Sequence, residues 1–91
     1  MATVRLAPVL RASVGGSKQV SAEGSNLNEI LVDLYERYPG LKEQIQPEGE
    51  KLSRFINVYV NDQDVRYLHG LETSVGPGDT IILLPAMAGG H

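Results

Sequence analysis

Residues 25–41 read SNLNEILVDLYERYPGL, and this stretch decides the fold. Leu27, Ile30, Leu31, Leu34, Tyr38 and Leu41 recur at the spacing of one face of an α-helix. Glu29, Asp33, Glu36 and Arg37 fall on the other face. Ser25 is the expected N-cap, since its hydroxyl can accept a bond from a first-turn N–H. Pro39-Gly40 is the expected stop. A helix with one apolar stripe must lay that stripe on something, so its flanks determine the architecture.

Upstream, Thr3 to Leu10 begins with strand alternation, Val4 and Leu6 on one side and Thr3 and Arg5 on the other. The Gly-rich turn Val14-Gly15-Gly16-Ser17 follows, and Lys18 to Ala22 alternates again around Val20. These runs read as a hairpin with a long loop. Downstream, residues 42–53 are polar and irregular, a loop with room for one short helical turn. Phe55 to Val60 is a strong strand, Asn61-Asp62-Gln63-Asp64 a turn, and Val65-Arg66-Tyr67 a short returning strand. Gly76-Pro77-Gly78-Asp79 is a sharp turn. Thr80 to Leu84 is almost wholly apolar, as in a strand at the middle of a sheet, and Pro85 ends it.

A helix between two hairpins buries its stripe by crossing one face of a single sheet. The first and last strands are then parallel neighbours. This is an α+β arrangement, the ββαββ mixed sheet of the β-grasp (ubiquitin-like) fold. One domain is expected over residues 1–85, followed by a flexible tail over residues 86–91. No linker or internal repeat marks a second domain.

The composition narrows the function. The chain has 91 residues and a net charge of −3, so it carries no basic footprint for nucleic acid. No apolar run is long enough to span a bilayer, and the start lacks a signal peptide, so a cytoplasmic location is expected. There is no cysteine, which excludes disulfides, thiolate metal sites and cysteine nucleophiles.

After Pro85 the chain reads Ala86-Met87-Ala88-Gly89-Gly90-His91. These residues are small, and the paired glycines keep the backbone mobile. Extended, six residues reach about 20 Å. A thin, bare end of this kind suits a narrow enzyme channel. The chemistry that wants it is acyl activation. Adenylation turns a carboxylate, a poor electrophile, into one with a good leaving group. Attack by sulfur then gives a thiocarboxylate, and no cysteine is needed in the carrier.

Two segments carry a family resemblance. Phe55-Ile56-Asn57-Val58-Tyr59-Val60-Asn61, followed by Asp64-Val65-Arg66, resembles the central segment of the ThiS/MoaD sulfur carriers. Gly76 to Gly90 resembles that family's end, with a Gly-Asp turn, an apolar strand, a proline and an Ala-Gly-Gly tail. Within the family the chain is similar to the actinobacterial CysO branch. The resemblance implies that Gly90 is adenylated by an E1-like enzyme of the MoeB/ThiF type and then converted to a thiocarboxylate. It implies that Pro85, Ala86, Met87, Ala88 and Gly89 enter the partner's active site. No cofactor would be bound, ATP being used by the activating partner. A sulfur acceptor would follow, such as a PLP-dependent cysteine synthase or a thiosugar synthase, with a zinc metalloprotease of the JAMM type in the CysO cycle. Relatives serve cysteine, thiamine, molybdopterin or thiolated products. The free carrier is expected to be a monomer and a substrate of enzymes, not an enzyme.

One departure is plain, because His91 follows Gly90. With His91 attached, the Gly90 carbonyl sits in an amide. Three readings stand: a purification-tag remnant, a native extension trimmed by a metalloprotease, or lost carrier activity.

Other candidates give little. His69 has no partner at metal-ligand spacing and reads as surface. Asp62 and Asp64 fit turn chemistry as well as they fit a carboxylate pair. Gly15-Gly16 lacks the rest of a phosphate loop. Ser13, Ser17, Ser21 and Ser25 have no nearby histidine base. The strand alternation puts Ile56, Val58 and Val60 towards the core and Phe55 and Tyr59 on the open sheet face. Phe55 and Tyr59 with Ile82 and Leu84 are the docking candidates, although parity alone does not choose between that last pair and Ile81 with Leu83. Such a patch marks a partner surface unless loop 42–53 covers it. A ubiquitin-like modifier joined through Gly90 and a non-covalent binding module remain alternatives on the same fold.

Overall fold

The computed structural model describes residues 1–47 and 51–86. Five strands form one mixed sheet in the order β2-β1-β5-β3-β4. They are β1 (Ala2–Leu6), β2 (Gln19–Ala22), β3 (Ile56–Val60), β4 (Gln63–Asp64) and β5 (Thr80–Pro85). β5 runs parallel to β1, with Val4 opposite Ile81 and Leu6 opposite Leu83. The other pairs are antiparallel. The expected ββαββ order and the parallel central pair are both present.

The main helix, α2 (Leu27–Arg37), covers one sheet face and fully buries Leu27, Ile30, Leu31 and Leu34. Each such side chain contributes about 1.5–3 kcal/mol of transfer free energy. They meet Val4, Val58, Ile81 and Leu83 in one apolar cluster. No helix of the described residues is long and apolar enough to cross a membrane.

Several local expectations need correction. β1 stops at Leu6 instead of running to Leu10, because Pro8 opens a short helix, α1 (Pro8–Arg11). Proline suits the first helical position, where its missing N–H has no partner to lose. A 3-10 turn, Ala12–Val14, follows, so the first hairpin is joined by helical turns as well as by Gly15 and Gly16.

The N-cap of α2 is Asn26, not Ser25. Asn26 Oδ1 accepts a bond from the Glu29 N–H at 2.8 Å. The Glu29 carboxylate in turn accepts from the Ser25 N–H at 2.8 Å and its hydroxyl at 2.9 Å. Tertiary pairing sets the shift. Ser25 O accepts from the Val75 N–H, and the Leu27 N–H donates to Thr73 O, which keeps Asn26 extended. Gly24, just before, lies so close to the helix that a Cβ would sit 2.7 Å from Ile30 N.

Pro39-Gly40 ends α2 and also starts α3 (Gly40–Ile45). The residue before a proline is pushed out of the helical region, and Tyr38 has φ −132° and ψ 74°. Leu41, counted with the first helix, is buried from α3 instead. The segment expected as loop is therefore partly helical.

The second hairpin is tighter than expected. Asn61 and Asp62 take φ of 50° and 73°. That is the two-residue turn matching strand twist, so Val60 pairs directly with Gln63. Val65–Tyr67 is a 3-10 turn and not a strand. The Asp64 side chain accepts from the Arg66 N–H at 2.9 Å and caps it.

Candidate functional site at the end of the last strand

β5 lies between β1 and β3, so it is held on both edges and its end has a fixed position. Its alternation answers the parity question. Ile81 and Leu83 are fully buried under α2, while Ile82 is half-buried and Leu84 exposed on the open face. Tyr59 stands opposite Ile82, and Asn57 opposite Leu84. Phe55 is 56 % exposed in the turn just before β3, where it lines a cavity with Pro47, Lys51, Leu52 and Ser53, so segment 42–53 flanks it without burying it. The structure thus brings Tyr59, Ile82 and Leu84 onto one face, with Phe55 exposed in the turn just before β3.

The exit from the sheet is fixed by backbone. Pro85 pairs with Ile56, and the Ala86 N–H donates to Phe55 O at 2.7 Å. Phe55 is itself tied down, its N–H donating to Ser53 Oγ at 3.1 Å. The Arg54 guanidinium lies 5.2 Å from the centroid of its ring. Met87, Ala88, Gly89 and Gly90 lie outside the described residues, as does His91.

Sequence reasoning missed what Arg66 does. Its guanidinium donates to Ile56 O at 3.2 Å and to the Asn57 carboxamide. The Asp-Val-Arg element after the second hairpin therefore braces the strand from which the tail departs. Its signal was present as a motif, but one read as resemblance and not as contact. The other candidates are structural or superficial. Asp62 serves the turn, Asp64 caps, His69 is exposed, and Ser13 donates to Gln44 at 2.7 Å.

The electrostatics before β5 are local. The Asp79 carboxyl is held below its ordinary range, first by the Gly76 N–H and then by the Asn61 side chain. The bond from the Gly76 N–H to Asp79 Oδ2, at 2.8 Å, closes the turn that launches β5. Among the described residues, the groups around the exit are Phe55, Leu84, Arg54, Asn57, Arg66 and the Ser53 hydroxyl.

A model of the ThiS family matches residues 4–90. The chain belongs to the ThiS family. It is 44 % identical over 90 residues to the sulfur carrier protein CysO of Mycobacterium tuberculosis, covering 97 % of each chain. Among solved structures it is similar to a chain of the Amycolatopsis orientalis BexX/CysO complex. There the identity is 49 %, the TM-score 0.91, and the coverage 99 % of this chain and 100 % of that one. It also resembles small archaeal modifier protein 1 of Methanosarcina acetivorans, at 32 % identity and a TM-score of 0.85 over 98 % and 95 % of the two chains. These likenesses confirm the β-grasp, ubiquitin-like fold and the expected CysO kinship. The chain is a sulfur carrier protein of this family, acted on by enzymes and not itself one.

Proposed function

We propose that Gly90 is the atom-bearing end of this carrier. Its carboxylate attacks ATP on an E1-like partner to form an acyl adenylate with release of pyrophosphate, and a sulfide-level sulfur then attacks the acyl carbon and expels AMP, leaving the thiocarboxylate. The observation that carries the reading is the family match, which runs to residue 90 and so takes in the diglycine. Residues 86–91 form the tail, and Pro85 to Gly89 lead it into the partner's active site. Phe55, Tyr59, Ile82 and Leu84 form the docking face, with the exit bond from Ala86 to Phe55 beside them. The partners on this reading are a MoeB/ThiF-type adenylating enzyme, an acceptor such as a PLP-dependent cysteine synthase or a thiosugar synthase, and a JAMM-type zinc protease. The cycle runs in the cytoplasm. His91 must be absent for activation, since an amide carbonyl has no carboxylate to adenylate.

The test uses a chain ending at Gly90, incubated with the adenylating partner, ATP and sulfide. The intact mass should change by replacement of one oxygen with sulfur, and the chain ending at His91 should not change. A Gly90-ended chain that stays unmodified with every adenylating partner of its own genome rules the reading out. A modifier role draws support from the likeness to small archaeal modifier protein 1. It predicts isopeptide-linked species in lysate, blocked by Gly90 deletion.

A further inference from the structure

The open sheet face carries a second feature beside its apolar patch. A groove of about 380 Å³ runs between β1, β2, the start of α1 and β5. Arg5, Arg11 and Lys18 line it together with Ile82 and Leu84, and no acidic side chain does among the described residues. This is a local reversal of sign on a chain of net charge −3. The ion pairs among the described residues are Arg37 with Asp33 and Arg66 with Asp64, so none of the three groove cations is neutralised there. Arg5 shares its sheet row with Ile82, which places the cation directly next to the apolar floor. Arg11 is oriented, its Nε donating to Leu6 O at 3.0 Å.

Leu84 belongs to the groove and to the end of β5, next to Pro85 and Ala86. Whatever fills the groove therefore sits against the base of the tail. The backbone gives an anion little to hold. The Leu6 N–H is spent on Lys18 O at 2.9 Å, the Ala7 N–H on Leu83 O at 3.0 Å, and Pro8 has none. Free phosphates favour convergent backbone donors, and the Leu6, Ala7 and Pro8 positions offer none. Long cationic side chains around an aliphatic floor suit carboxylates carried on a protein surface.

We propose that this groove docks an acidic segment of the enzyme that receives the tail, with Asp or Glu side chains on Arg5, Arg11 and Lys18 and an aliphatic residue on Ile82 and Leu84. The inference rests on the carrier reading above and adds the chemistry by which the partner is chosen. Charge complementarity of this kind acts mainly on encounter and selectivity, and it weakens with salt.

The test compares three Gly90-ended carriers in the loading reaction: the parent, the double variant Arg5→Glu with Lys18→Glu, and the conservative Arg5→Lys with Lys18→Arg. The acidic double variant should raise KM for the carrier about tenfold or more, with the steep salt dependence of the parent lost. The conservative pair should stay near the parent. Equal KM and equal salt dependence across all three would overturn the proposal. So would an effect on KM for ATP in place of KM for the carrier, which would make the groove a phosphate site. A parent that does not load at all refutes the carrier reading instead. The groove is then tested by NMR, titrating labelled protein with the peptide acetyl-Asp-Leu-Glu-Glu-amide and its Asn/Gln counterpart. Shifts at Arg5, Lys18 and Leu84 with the acidic peptide alone uphold it, and no shifts reject it.

Discussion

The two faces of β5 are built from the same kinds of residue and have opposite fates. Ile81 and Leu83 are sealed beneath α2, whereas Ile82 and Leu84 look out from the other side of the same strand. Hydrophobicity does not separate the pairs. What separates them is a helix on one side and, among the described residues, no element over the other. The buried pair is explained by folding alone. The outward pair has no folding reason to be aliphatic, and it lies beside the exit of the tail. The contrast teaches that a partner face shows itself as apolar residues left over after the core is complete.

The largest effect should come from the buried face. Leu83→Ala removes a side chain with no exposed surface and should cost about 2–5 kcal/mol in urea unfolding. Leu84→Ala, which is 39 % exposed in the parent, should change stability by only about 0.5 kcal/mol, yet raise KM in the loading reaction. Equal destabilisation by the two variants would abolish the distinction between the faces.

A smaller effect is expected under the core face, where α2 meets α3. The Tyr35 hydroxyl donates to Gln46 Oε1 at 2.6 Å, and Gln46 is only 4 % exposed. Burial pushes the Tyr35 phenol above its ordinary value of 10.0, which keeps it a donor at any working pH. Tyr35→Phe leaves a buried carbonyl oxygen without that donor, at about 1–3 kcal/mol. Thermal unfolding should show the loss, while loading of the folded variant with sulfur should be unchanged. A fall in loading would mean that the core side also takes part in partner contact.

Much of this was legible in residue periodicity. The stripe Leu27, Ile30, Leu31 and Leu34, the alternation of Ile56, Val58 and Val60, and the apolar run ending at Pro85 settle the sheet and the helix across it. They could not locate boundaries set by distant partners. Asn26 became the cap because residues 73–75 pair with its neighbours. Pro39 restarts a helix because Leu41 and Ile45 find a place in the core. The site was half legible. The patch residues follow from period two, but the choice of Ile82 over Ile81 needed the side on which α2 lies. The groove cations Arg5, Arg11 and Lys18 come from β1, the end of α1 and the bend before β2, so no local motif could have joined them. The role of Arg66 was hidden likewise, since its partners Ile56 and Asn57 lie on β3, away from its own 3-10 turn.

The smallest effect concerns what supports the buried face in acid. The Glu29 carboxyl is held below its ordinary 4.5 by the Ser25 N–H and then by the Ser25 hydroxyl. Asp79 is held below 3.8 by the Gly76 N–H and then by Asn61. One stands at the start of the helix that seals the core, the other in the turn that launches β5. Folded pKa values that lie below the unfolded ones mean that the unfolded chain binds more protons between them. The stabilisation is therefore full above the unfolded values and lost as pH falls through the folded ones. Tm should be flat near neutrality and decline as the pH drops through 4.5 and 3.8 and below. Glu29→Gln should flatten part of that decline. Arg5→Glu, on the open face, should not flatten it, because Arg5 touches neither support. A decline untouched by Glu29→Gln would show that acid acts through other carboxylates, and the two bonded carboxyls would then be incidental to the stability of the sealed face.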